Sequence, residues 1–233
     1  MKRALVCTVI FACVALMAAG SAFAGTQSNV KIALYAMAVP AKNACSTNAP
    51  SNLACDSVGG TSNLVVQAPA NAAQDVYLVA LDVATGPGLG GVSLGLSYSP
   101  TIAIFGAWNK CADQDFAGNG WPADGGGDAI TYATCAGQTP DPSDPQGDGA
   151  VVLGYITYLY AYGDGVMAVT PRNFITPPDF KAADCAAAES NLPAANAGTI
   201  GFGAATGYQP CLPAAVPVQN STWGGVKSQF SGE

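Results

Sequence analysis

The chain has 233 residues, with 15 Asp and Glu against 8 Lys and Arg, 8 Cys and no His. Without imidazole, Ser-His-Asp and Cys-His catalysis and His-ligated zinc or haem are excluded. Charged residues make up 10% of the chain and hydrophobic residues 50%, and there are 28 Gly and 16 Pro. This composition is typical of apolar strands separated by turns rather than of a disordered tail or a helical bundle.

The first 24 residues have the three parts of a secretory signal peptide. Lys2 and Arg3 are basic, residues 4–19 are apolar, and Ala22 and Ala24 form a small-residue cleavage site. The apolar run is shorter than the roughly 20 residues that span a membrane. We therefore expect cleavage after residue 24, a secreted bacterial protein that is extracellular or at the cell surface, and no membrane insertion afterwards.

Cysteine usage agrees with export. Six cysteines remain after residue 24, and an even number in an exported chain indicates disulfides. Closing a short loop costs the least entropy, so near-neighbour pairs are favoured. The expected pairs are Cys45–Cys55, Cys111–Cys135 and Cys185–Cys211. A metal site is the alternative, although the chain has no CxxC pair and no His.

Removal of the signal peptide also makes the chain more acidic. It takes two of the eight basic residues and no acidic ones, which leaves a net charge of about −9. With no Lys/Arg cluster after residue 3, such a chain repels phosphate backbones and anionic lipids. We expect no nucleic-acid partner and no membrane-surface binding.

Strand patterns dominate the remaining chain. In residues 92–98, for example, Val92, Leu94 and Leu96 alternate with small or polar residues. A Gly-rich turn at 86–91 predicts that strands 75–83 and 92–98 are antiparallel neighbours. In chain order, the predicted strands are 30–39, 64–66, 75–83, 92–98, 101–105, 129–134, 150–162, 166–170 and 199–204.

Three further segments have distinct patterns. The turn at 163–165 predicts a hairpin between the strands on either side of it. Residues 182–189 are predicted to form a single helical turn. Residues 107–149 lack a sustained period, and a disulfide within them would explain how a long loop is held.

Together these patterns predict an all-β protein, an antiparallel β-sandwich with long disulfide-stapled loops. We assign residues 1–24 to the signal peptide, 25–217 to one sandwich domain and 218–233 to a C-terminal tail. The length after residue 24 fits one such domain.

Residues 63–108 include the segments QDVYLVALDV, GGVSLGLSYSP and FGAW. This stretch resembles the cohesin-like and related carbohydrate-binding β-sandwiches of exported bacterial proteins. The resemblance implies a jelly-roll-type sandwich and a binding function. Cohesins bind dockerin modules through a sheet face, but Cys-bearing loops are atypical of them, so no residue here is assigned to dockerin binding.

The C-terminal residues 222–228 (TWGGVKS) are similar to the TWGxIK endings of other secreted bacterial proteins. Such an ending implies a sorting tag. The alternative is that its apolar residues pack a last turn onto the sandwich.

Asp pairs near two tryptophans raise the question of glycoside hydrolysis, which generally uses two carboxylates. These pairs are Asp113 with Asp115 and Asp124 with Asp128. Asp is also a common turn former, because its side chain accepts hydrogen bonds from nearby backbone N–H groups. Turn formation is the favoured interpretation, and no catalytic residue is assigned.

Calcium is the one cofactor that the sequence suggests. Asp141, Asp144 and Asp148 recur in one Pro- and Gly-rich segment, and Ca²⁺ prefers carboxylate and carbonyl oxygens. The segment lacks the full pattern of an EF-hand loop. Solvated turns are the alternative, and no other cofactor is expected.

Trp108, Trp121 and Tyr132 are the aromatic residues of the loop-rich middle segment. Exposed aromatic rings on a β-sandwich can stack against sugar rings, so these three are candidate ligand-binding residues. Packing in the core is the alternative.

Three functions fit these observations. The first is a secreted, non-catalytic module that binds extracellular protein or polysaccharide. The second is a secreted carbohydrate-active enzyme that uses Asp carboxylates. The third is a structural subunit of an extracellular assembly that donates an edge strand to a neighbour. The missing His, the acidic charge and the strand pattern favour the first.

Overall fold

The computed structural model describes residues 25–40, 44–45, 67–68, 73–139, 148–161 and 163–211. Within these residues the chain forms strands and one short 3₁₀ helix, Ala194–Asn196. The strands are β1 (Lys31–Ala38), β2 (Gln67–Ala68), β3 (Gln74–Val83), β4 (Leu89–Ser97), β5 (Ala103–Lys110), β6 (Gln114–Asp115), β7 (Gly127–Ala136), β8 (Gly149–Ala161), β9 (Gly165–Thr170), β10 (Lys181–Asp184), β11 (Glu189–Asn191) and β12 (Thr199–Phe202).

The strands form two sheets. The four-stranded sheet has the order β1-β3-β8-β5, and all its pairs are antiparallel. The eight-stranded sheet contains the remaining strands, and only β12 and β2 pair in parallel. The predicted all-β antiparallel sandwich is confirmed.

Strand β4 is the centre of the eight-stranded sheet. Val92 pairs with Ile130 of β7 and with Ala182 of β10, while Gly95 pairs with Gly127 of β7 and with Thr170 of β9. A strand residue has one neighbour on each side. Therefore β7 runs along one edge of β4, and β10 and β9 share the other edge.

The main core lies between the two sheets. Alternate residues of β4 contribute Val92, Leu94 and Leu96, as their pattern predicts, and alternate residues of β3 contribute Val76 and Leu78. All five are buried. The intervening residues of β4 lie on the opposite, outer face of the eight-stranded sheet.

The outer face of the four-stranded sheet is also apolar. Tyr77, Val79 and Leu81 of β3 form a second cluster with Ala33 of β1, and all four are fully buried. Cys211 packs against this cluster. Strand β3 is therefore buried on both faces, which resembles the burial of a central strand between two layers.

Two predicted hairpins are wrong. Strands β3 and β4 lie in different sheets, so the Gly-rich turn crosses the sandwich instead of pairing its flanking strands. The turn at 163–165 crosses in the same way from β8 to β9. Gly88, with φ of +70°, allows the first crossing to change direction within a few residues. Turn composition alone does not distinguish a hairpin from such a crossing.

The predicted helical turn at 182–189 is also wrong. Residues of β10 and β11 form an antiparallel pair there, in which Ala182 lies opposite Ser190. Ala182 is fully buried in the main core. Burial against the other sheet therefore overrides the helix propensity of an Ala-rich segment.

The predicted near-neighbour disulfides are wrong. The structure contains Cys45–Cys111 and Cys135–Cys185, which join residues 66 and 50 positions apart. Cys211 is disulfide-bonded as well, and Cys55 lies outside the described residues. Short loop closure favours local pairs only in an unfolded chain, whereas the sheets determine which cysteines meet.

Several other predictions fall outside the described residues. They concern the signal peptide 1–24, strand 64–66, Asp141, Asp144 and the tail 218–233. In the part of the chain that the structure describes, no helix has the length and hydropathy to span a membrane.

Candidate functional site

Trp108 and Trp121 come together in the structure, as two of the three predicted aromatic site residues. Their ring centroids are 5.3 Å apart in an edge-to-face arrangement. Both rings are half-buried and pack against the main core. The indole Nε1 of each is buried without a hydrogen-bond partner among the described residues. The pair covers one margin of the core and presents little ring surface to solvent.

Tyr132 also packs against the main core. Its hydroxyl donates a hydrogen bond to the Val152 carbonyl at 3.0 Å, across from one sheet to the other. Burial raises the pKa of this hydroxyl, and the Asp113 carboxylate adds to the effect. Its position fits a contact between the two sheets.

Three of the four predicted loop carboxylates accept backbone hydrogen bonds. Asp113 accepts from Ala133 N at 2.7 Å, Asp124 from Tyr98 N at 2.7 Å, and Asp128 from Phe116 N at 2.9 Å. The fourth, Asp115, pairs with Lys110 at 3.0 Å. The three backbone contacts join residues 12 to 26 positions apart, so these carboxylates hold distant segments together and do not form the local turns that the sequence favours.

Asp128 differs from the other three because it is fully buried. Its Oδ2 has no hydrogen-bond partner among the described residues. Burial, followed by the nearby Asp115 carboxylate, raises the pKa of Asp128 to about 6. A raised pKa can mark a functional carboxyl, but it also arises from structural burial.

The predicted calcium residues are only partly described. Asp148 lines a polar pocket together with Lys31 and Asp82, which form an ion pair. Among the described residues, no group of three or more His, Cys, Asp or Glu is arranged to hold a metal. Calcium binding stays a prediction of the sequence.

A depression of about 150 Å³ lies on the outer face of the eight-stranded sheet. Its floor consists of small residues that point away from the core, namely Gly91, Ser93, Ala129 and Ala183. Its polar walls are Thr131, Arg172, Asp179, Lys181 and Glu189. The small residues of β4, β7 and β10 leave this hollow because large side chains of the same strands point into the core.

Two ion pairs line the depression. Arg172 binds Asp179 through two parallel contacts, Nε to Oδ1 at 3.0 Å and Nη2 to Oδ2 at 2.9 Å. Ser93 donates a further hydrogen bond to Asp179 Oδ1 at 2.7 Å. Lys181 pairs with Glu189 at 2.8 Å and is more exposed. The bidentate pair fixes the guanidinium plane at one wall.

The same Arg172 holds a short loop that presents an aromatic ring. Its backbone N–H donates to the Asp179 carbonyl at 2.7 Å, so the intervening loop is closed by backbone and side-chain contacts. The guanidinium lies 5.7 Å from the centroid of the Phe174 ring. Phe174 rests on Gly118, where any Cβ atom would collide with the ring, and remains 41% exposed.

Phe116 provides a second exposed ring on this face. It continues β6, where Asp115 lies opposite Ile130, so Phe116 lies opposite Ala129 of the depression floor. Opposite residues of an antiparallel pair share a face. Phe116 is 59% exposed and lies two residues before the Gly118 that supports Phe174.

We call the depression together with Phe116 and Phe174 the binding face. Sequence reasoning missed it, because its phenylalanines are isolated in the sequence and its residues come from separate segments. The ionic residues lie within 172–189, whereas Phe116 and the floor residues of β4 and β7 come from 91–131. The available signal was weak: Phe116 and Phe174 are apolar residues in segments without a strand period. Such a residue has no predicted core position and is a candidate for the surface.

Comparison with known proteins gives matches in structure alone. The sequence matches no protein-family model and no curated protein. The structure is similar to a cohesin module of a Clostridium perfringens family 33 glycoside hydrolase, with 9% identity, 59% of this chain and 88% of that chain covered, and a TM-score of 0.39. It is also similar to the sixth cohesin of Acetivibrio cellulolyticus scaffoldin B, solved with a dockerin, with 8% identity, coverages of 60% and 94%, and a TM-score of 0.37.

Fold and site define the class of the protein. It is an all-β, two-sheet antiparallel sandwich with disulfides and with a polar depression beside two exposed rings on one sheet face.

Proposed function

We propose that this chain is an exported, non-catalytic module that binds an extracellular polysaccharide through the binding face. The observation that carries the proposal is the placement of Phe116 and Phe174, both exposed, beside a polar depression. Aromatic rings provide apolar faces for sugar C–H groups, and polar walls hydrogen-bond to hydroxyls.

Preorganisation supports this proposal. The loop that carries Phe174 is closed by the Arg172–Asp179 pair, and the ring is seated on Gly118. A ring that is held in place before binding loses less conformational entropy when the ligand arrives. An isolated surface phenylalanine on a loose loop would lack this advantage.

Export is supported by the disulfides, which persist in oxidising compartments, and by the signal-like residues 1–24. The absence of catalysis is supported by the lack of His and by the contacts of the loop aspartates, which hold backbone or an ion pair.

Strand donation to a neighbour has less support at the β5 edge. Strand β5 is at the end of the four-stranded sheet, but its pairing with β8 shifts register on both sides of Phe105. Such irregularities twist an edge away from regular pairing and disfavour the addition of another strand.

The test is affinity electrophoresis and calorimetry of the mature chain against a panel of soluble polysaccharides. Phe116→Ala and Phe174→Ala should each weaken binding about tenfold, equivalent to about 1.4 kcal/mol. Ile104→Ala is the matched control, because Ile104 is 47% exposed but lies on β5 in the other sheet. It should bind as the unmodified chain does.

Two results would contradict the proposal. One is that no polysaccharide binds while a protein partner does. The other is that Ile104→Ala weakens binding as much as Phe174→Ala, which would place the ligand elsewhere.

A further inference from the structure

The charges of the binding face cancel within the face itself. Each of its two cations is bonded to a carboxylate, Arg172 to Asp179 at 2.9 Å and Lys181 to Glu189 at 2.8 Å. Opposite charges at this separation largely cancel the field that a ligand feels a few ångströms away. The depression therefore has no net charge to offer to an ionic ligand.

The Arg172–Asp179 pair cannot easily open to bind a charged ligand in place of its own partner. The side chains of Arg172 and Asp179 are largely buried, and Ser93 donates to the same carboxylate. Withdrawing Arg172 to bind a ligand anion would leave the buried Asp179 carboxylate without its partner, which is strongly destabilising.

The net negative charge of the whole chain also disfavours an anionic ligand. Fifteen acidic residues face six basic ones after residue 24, so a polyanion approaching the sheet meets repulsion. A polymer without charge has no such barrier.

What the face does offer is donors and acceptors side by side. Guanidinium and ammonium N–H groups donate, the carboxylate of Glu189 accepts, and the Thr131 hydroxyl does both. A sugar hydroxyl is itself both donor and acceptor, so it matches such mixed walls. The volume of about 150 Å³ is below that of pockets for drug-sized ligands, so it admits one small unit of a polymer.

Resting on the function proposed above, we infer that the ligand is a neutral polysaccharide. One hydroxyl-rich ring occupies the depression between the Arg172–Asp179 and Lys181–Glu189 pairs, and adjoining rings contact Phe174 and Phe116. The paired charges and the acidic chain disfavour carboxylated or sulfated polymers.

The test compares a neutral β-glucan panel with carboxymethylated derivatives of the same polymers, at low and high salt, using the mature chain. We expect the neutral polymers to bind with less than twofold change between the two salt concentrations. The carboxymethylated ones should bind at least tenfold more weakly at low salt. Tighter binding of the carboxymethylated polymers at low salt, lost at high salt, overturns the inference and leaves polysaccharide binding intact.

A variant that removes one negative charge from the binding face tests the same inference. Glu189→Gln should release Lys181 and shift the preference several-fold towards the carboxymethylated polymer, because Glu189 is 62% exposed and its loss leaves one cation unpaired on the face. Asp82→Asn is the matched control. It changes the net charge by the same amount and weakens the ion pair with Lys31, which is on the four-stranded sheet and does not line the depression. An equal shift in both variants contradicts the inference. If neither form of polymer binds, the proposed function itself fails.

Discussion

Asp128 is one of the carboxylates that the sequence assigns to turns, but the structure places it within strand β7. A turn-forming Asp is expected to be solvated, yet Asp128 shares the inner side of β7 with Ile130 and is fully buried. Its Oδ1 holds the Phe116 backbone N–H, so the carboxyl helps to place one ring of the binding face. The buried Oδ2 makes the charged form costly.

Asp128 should make stability depend on pH. Its folded-state pKa of about 6 exceeds the ordinary aspartate value of 3.8, so the folded chain binds the proton more tightly. Stability is then fully present at acid pH and decreases as the pH rises from about 4 to 6, by roughly 1 kcal/mol between pH 5 and pH 7. Urea unfolding of Asp128→Asn should show a smaller decrease over this interval and higher stability at pH 7.

An Asp128→Asn chain that is less stable at pH 7 would contradict this account. Above pH 5, Asp184 does not add to this pH dependence. Backbone N–H groups and the Thr26 hydroxyl donate hydrogen bonds to its carboxylate and stabilise the charged form. Because these bonds lower the pKa of Asp184, its contribution is lost only as the pH falls through still lower values.

At the scale of elements, the Cys135–Cys185 disulfide crosses β4. Cys135 is on β7 and Cys185 follows β10, which are the strands on opposite edges of β4. Gly90 lies beneath this crossing, and a Cβ atom there would be 3.4 Å from the Cys185 Cα and closer still to the Asp184 carbonyl. Glycine in a strand often marks such a close approach.

Removing the Cys135–Cys185 disulfide should lower the free energy of unfolding by about 4 kcal/mol, because the disulfide closes a loop of 50 residues in the unfolded state. The measurement is the free energy of urea unfolding of the Cys135→Ser/Cys185→Ser double variant. Peptide mapping without reduction is the independent check. It should recover Cys45 linked to Cys111 and Cys135 linked to Cys185, and a peptide joining Cys111 to Cys135 would contradict the pairing.

For the whole molecule, the outer face of the four-stranded sheet is apolar and buried, whereas in a simple two-sheet sandwich that face meets solvent. Leu81 of β3 is as deeply buried on this outer side as Leu78 is between the sheets. Strand β3 is apolar along almost its whole length because it is buried on both faces.

Leu81→Ala should therefore lower the free energy of unfolding as much as Leu78→Ala does, each by about 2–5 kcal/mol. Ile104→Ala, at an exposed position, should change stability by less than about 0.5 kcal/mol. Chemical denaturation of the three variants is sufficient. If Leu81→Ala changes the free energy of unfolding as little as Ile104→Ala does, the outer face is not a stabilising part of the core.

The sequence by itself determined the strand content and the inner face of β4, because Val92, Leu94 and Leu96 alternate with small residues and only one register buries them. It also determined which catalytic chemistries are excluded, since that follows from composition. The tertiary structure alone decided the partners of β3, the disulfide pairing and the binding face. Crossings between sheets, cysteines that meet over β4, and the approach of Arg172, Phe174 and Gly118 all depend on residues far apart in the chain, and local patterns carry no information on such distances.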